Sequence, residues 1–102
     1  QSLQFKIAIA ELMIRYELQD FDVLENKIRL IKKDYSEFFT RKSSEREIMM
    51  IEAISKLIRT DSLRKDKAFL TQIKEHILSP GNKEAADADI LNYRIWLEEK
   101  IR

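Results

Sequence analysis

The residues able to do chemistry are few and widely spaced. His76 is the sole histidine of the 102-residue chain, and cysteine is absent. Its neighbours Lys74 and Glu75 read as a solvated helix face, not as the orienting partners that a general base requires. A di-iron site in a helical bundle needs repeated Glu-x-x-His pairs, but the position three before His76 is Ile73. A structural zinc site lacks ligands for the same reason, and without cysteine there is neither a thiolate ligand nor a thiol nucleophile. Two acidic pairs, Glu45 with Glu47 and Asp87 with Asp89, resemble acid–base dyads only in spacing. Both precede or open expected helices, where negative charge complements the helix dipole. Gly81 stands alone, so no glycine-rich loop can cradle a phosphate. We therefore expect no enzyme, no cofactor and no metal.

A basic stretch remains. Lys27, Arg29, Lys32, Lys33, Arg41, Lys42 and Arg46 fall within twenty residues, interleaved with Glu25, Asp34, Glu37 and Glu45. The interleaving favours a solvated, charge-patterned face. Net charge is only +1, so no global field draws the chain to nucleic acid or anionic lipid. Lys32, Lys33, Arg41 and Lys42 are candidate contacts for a protein partner. Trp96 is a fifth, because tryptophan anchors interfaces, although its size favours core packing. A nucleic-acid-binding helical domain using residues 27–46 is the alternative.

The elements that position these residues must be long. The chain has one glycine and one proline, adjacent at Pro80-Gly81, with 36% charged and 44% apolar residues. So few turn formers leave room for helices and exclude a strand-rich fold. The first helix spans Ser2 to Leu18 and is apolar almost all round, which predicts burial on several sides. In a single bundle it would be the central helix; otherwise it meets another repeat or self-associates. Asp22 and Glu25 fit a capping box for the second helix, whose stripe is Leu24, Ile28, Ile31, Tyr35 and Phe38. Ser44 and Glu47 offer a second box, followed by Ile48, Ile51, Ile54 and Ile58, with Met50 and Leu57 widening the face. The interval from Thr60 to Asp66 is polar and could hold a helix start at Asp61 or Ser62. The fourth helix carries Phe69, Leu70, Ile73 and Ile77 and stops at Ser79-Pro80-Gly81. Asn82 caps a fifth, with Ile90, Tyr93, Leu97 and Ile101 on one face.

Arg15 to Leu24 resembles the joint between the two helices of a tetratricopeptide repeat. Gln19 stands where that family carries glycine, Asp20 matches, and Phe21 replaces tyrosine. Arg15-Tyr16-Glu17-Leu18, Leu24-Glu25, Ile28 to Lys33 and the ending Asn92 to Ile101 are similar to the C-terminal region of bacterial tetratricopeptide-like proteins. The resemblance implies an all-α fold of about five antiparallel helices in a right-handed superhelical array; a closed bundle is the alternative. It implies a non-catalytic scaffold for protein partners and carries no catalytic residues. Residues 1–102 read as one helical-repeat domain. The start at Gln1, without methionine or signal-like segment, leads us to expect a C-terminal fragment of a longer protein. No apolar run approaches the roughly 20 residues of a membrane span, and the lack of cysteine suits a reducing cytoplasm.

Overall fold

The computed structural model describes residues 2–41, 44–60, 62–78 and 90–101. Among these residues all regular structure is helical: α1 (Ser2–Glu17), α2 (Phe21–Asp34), a 3-10 turn (Ser36–Thr40), α3 (Glu45–Thr60), α4 (Lys67–Ile73) continuing as a π-helical segment (Lys74–Leu78), and α5 (Tyr93–Ile101). The radius of gyration, 12.7 Å, is that of a compact domain of this length.

The α1–α2 joint explains why so little chain is needed to reverse direction. The Asp20 N–H reaches the Arg15 carbonyl at 3.1 Å and the Gln19 N–H reaches that of Tyr16 at 3.0 Å. This is a Schellman closure, which requires a left-handed residue. Gln19 takes that conformation, with φ of 59°. The tight closure starts α2 at Phe21, one residue before the expected Asp22 cap. Asp20 occupies the N-cap position without a side-chain capping bond, and its carboxylate pairs with Arg15 at 3.2 Å.

The second helix also ends earlier than its stripe implies. Tyr35 closes α2 through Ile31 at 2.9 Å, and Phe38 then bonds back to Tyr35 at 2.9 Å. The tighter 3-10 turn still delivers Phe38 to the core. There Phe5 of α1 stacks on it with ring centroids 5.1 Å apart, and Tyr35 lies 5.3 Å from Phe5.

The most enclosed helix is α3, not α1. Met50, Ile51, Ala53, Ile54 and Leu57 are all buried, and α3 contacts α1, α2 and the π-helical segment. Its buried face is rotated from the isoleucine stripe, so Ile48 and Ile58 are only partly covered. Ser44 lies directly before the helix and is buried. Glu47, its expected partner, pairs with Lys6 at 3.0 Å.

At the other end, Leu63 is buried in the α3–α4 loop, and Asp66 caps α4 by accepting the Phe69 N–H at 3.0 Å. The helix therefore starts after Asp66, beyond Asp61 and Ser62. Phe69, Ile73 and Ile77 recur every four residues and are all buried. In a straight α-helix that spacing drifts around the axis; the wider i→i+5 turn of the π segment reduces the drift. The expected stop at Ser79-Pro80-Gly81 and the Asn82 cap lie outside the described residues. Ile90 and Leu91 form a bend. The described fifth helix instead begins at Tyr93, capped by Asn92, whose Oδ1 accepts the Ile95 N–H at 2.9 Å.

Candidate functional site

The residues singled out for chemistry are drawn into separate local contacts. His76 Nδ1 lies 3.2 Å from Glu45 Oε2. Glu45 and Glu47, adjacent on one turn, thus engage different helices, Glu47 reaching Lys6 of α1. No carboxylate dyad results. Asp87 and Asp89 lie outside the described residues. Among the described residues, no group of three or more His, Asp or Glu side chains is arranged to hold a metal, and no helix is long and apolar enough to cross a membrane.

The basic stretch does not form one face. At about 3.6 residues per turn, Lys27, Arg29, Lys32 and Lys33 spread around most of α2. Lys27 crosses to Glu11 of α1 at 3.0 Å, and Lys32 faces Glu52 of α3 at 3.9 Å. Arg46 lies 5.3 Å over the Tyr93 ring, and Arg41 lies 4.6 Å over the Phe38 ring. Of the contact candidates, Lys32 lines a surface groove of about 530 Å³ between α2 and α3. Ile28 and Ile58 supply its apolar part, and Glu25, Arg29, Glu52 and Arg59 give it mixed charge. Lys33 and Arg41 are exposed elsewhere, and Lys42 lies outside the described residues.

Trp96 leaves the set of contact candidates. It is 8% exposed, and its indole N–H donates to Glu17 Oε2 at 3.1 Å. The Tyr16 ring meets it edge-on at 5.7 Å, and Lys100 lies 5.0 Å from the Trp96 centroid. The side chain clamps α5 onto the end of α1, in keeping with the expectation from its size. An indole with its N–H satisfied and its faces covered offers little to a partner.

At the α3–α4 turn, Asp66 is held below the usual carboxylate range. The first cause is its bond with Lys56, the second the Phe69 N–H it accepts. Lys56 also lies 5.1 Å over the Phe69 ring. This cluster fixes the turn and serves structure.

The surface feature that stands out is on α1. The helix has two apolar faces, set roughly opposite each other at about 3.6 residues per turn. Phe5, Ile9, Leu12 and Met13 point inward and are between 0% and 2% exposed. Leu3, Ile7, Ile14 and Leu18 point outward and are between 50% and 66% exposed. The outward stripe runs about 22 Å, at roughly 1.5 Å per residue. The Glu11–Lys27 pair bridges its edge to α2, where Val23 and Leu30 are also exposed. Apolar residues all round α1 signalled two faces to cover. The signal for Val23 and Leu30 was subtler: they are the apolar residues left over once the inward stripe Leu24, Ile28 and Ile31 is assigned.

Comparison with known proteins places no other chain beside this one: no family model, curated protein or solved structure matches.

Proposed function

We propose that the chain is a non-catalytic protein-interaction module whose docking surface is the outward face of α1. The observation that carries this is the stripe of Leu3, Ile7, Ile14 and Leu18, which leaves four large apolar side chains at least half exposed on one helix face. Singly exposed leucines are ordinary, whereas contiguous apolar surface marks a contact with another macromolecule. Covering the stripe removes apolar area from water with little loss of side-chain freedom, because the helix is already ordered by its opposite face. The mechanism is passive: α1 is held rigid by α2, α3 and the Trp96 clamp and presents its second face to a partner.

The resemblance to tetratricopeptide-like repeats fits the same role, with this chain as the capping end of a helical-repeat array. In such arrays each helix pair contacts its neighbours, and the last pair has one polar outer side. Support comes from the helix-turn-helix joint, where Gln19 adopts the left-handed conformation that the family's glycine would take readily.

A photo-cross-linking amino acid placed at Ile14, in cells producing the chain, tests the role. The expected result is a discrete protein adduct that is absent when the same group replaces Lys33 on the polar side of α2. Equal labelling from both positions, or none from either, contradicts a docking surface on α1.

A further inference from the structure

We propose that the corner between α3 and α4 is a binding pocket for a polyphosphate group, a site independent of the α1 surface. Basic charge gathers there. Residues 56–67 contain Lys56, Arg59, Arg64, Lys65 and Lys67 against Asp61 and Asp66, a net +3 in a chain whose total is +1. Asp61 lies outside the described residues. Arg64 turns away and donates to the Ile101 carbonyl. The other four cations line a concavity of about 450 Å³, together with the hydroxyls of Thr60 and Ser62. That volume lies within the range of small-ligand clefts.

Elsewhere Lys6, Lys27, Lys32 and Lys100 each reach a carboxylate of another helix. In the pocket only Lys56 has such a partner, Asp66 at 2.8 Å. Lys65 and Lys67 are exposed and form no ion pair with any described residue. Arg59 is also exposed, and its Nε alone is engaged, by the Ser55 carbonyl at 3.4 Å. Its two terminal nitrogens are left for a bidentate contact of the kind that phosphate oxygens accept. Ser62 Oγ accepts the Arg64 N–H at 3.2 Å, so its own hydrogen remains to donate. The walls are fixed by the fold. Leu63 is buried beneath the turn, and Asp66 is committed to Lys56 and to the Phe69 N–H. Three unmatched like charges around one concavity repel each other, and a compact, multiply charged anion relieves that repulsion. The described lining residues include no aromatic ring, which favours a phosphate group over the stacked bases of a nucleic acid.

Titration of the 102-residue chain with sodium tripolyphosphate, at about 20 mM salt to limit screening, tests the site by calorimetry and by amide resonances. Saturable one-to-one binding is expected, with the shifts centred on residues 59–67. Lys65→Glu combined with Lys67→Glu should weaken binding at least about tenfold, and Arg59→Gln by less, with helical circular dichroism unchanged. Lys33→Glu, an exposed position on α2, should leave it unaltered. Adenosine triphosphate should bind comparably through the same residues, and adenosine should not bind. Absence of saturable binding, an equal loss with Lys33→Glu, or binding of adenosine alone overturns the proposal. So does a single-stranded oligonucleotide that binds more tightly than tripolyphosphate through the same residues, because the corner would then read nucleic acid.

Discussion

The two faces of α1 are both apolar and opposite in fate. Phe5, Ile9, Leu12 and Met13 are closed off by α2, α3 and the aromatic group around Phe38, whereas Leu3, Ile7, Ile14 and Leu18 face outward. The joint at Gln19 and the ion pairs on the flanks, Lys6 with Glu47 and Lys27 with Glu11, accompany one rotation of the helix against its neighbours. One face therefore holds the fold and the other is available for contacts outside it.

The comparison can be broken most directly by truncating one residue from each face. Leu12→Ala should lower unfolding free energy by about 2–5 kcal/mol, because it opens a cavity in packed surroundings. Ile14→Ala, two positions away, should change the stability of the monomer by no more than about 0.5 kcal/mol. Urea denaturation at low protein concentration measures both, and similar losses would mean that the outward face is packed after all. Lys6→Met should follow, costing about 1–3 kcal/mol by the same assay. It leaves the Glu47 carboxylate, which is nearly enclosed, without its partner.

Gln19→Gly should sharpen the comparison in the opposite direction. A non-glycine residue at φ of 59° carries a left-handed penalty that glycine avoids. Allowing for the greater freedom of glycine in the unfolded chain, the variant should gain about 0.5–1 kcal/mol and a higher melting temperature. The smallest effect is expected far from α1. The Asp66 pKa is depressed, so its contribution is fully present above the ordinary carboxylate pKa and is lost as pH falls through the lowered value. Asp66→Asn should flatten the loss of stability below about pH 4, leaving the contrast between Leu12 and Ile14 unchanged. A steeper acid loss in the variant would contradict the Lys56 pairing.

Much of this was legible in the residues. The scarcity of glycine and proline implied helices, and the stripes of α2 and α4 named their buried residues, apart from a half-covered Tyr35 and Leu70. The rotation of α3 was not legible, because Ile48 and Ile58 are as apolar as Met50 and Leu57; only the shape of α1 and α2 selects between them. Periodicity also could not reveal where helices change type. Phe38 continues the α2 spacing yet sits on a 3-10 turn, and Ile77 continues that of α4 on a π segment. For the surface, charge spacing pointed to Lys32, Lys33, Arg41 and Lys42, but tertiary partners such as Glu11 and Glu52 disperse the stretch. The breadth of the apolar surface on α1 marked a second face that stays uncovered, which charge spacing did not signal.

A thiol footprint at the centre of the outward stripe tests the central claim most directly. With no native cysteine to compete, Ile14→Cys can be labelled in the purified chain at high dilution and in intact cells, with Lys33→Cys as the exposed reference. A docking face on α1 predicts that the two positions label at comparable rates in dilute solution, and that position 14 alone becomes protected in cells. Equal labelling of both positions in cells would contradict it.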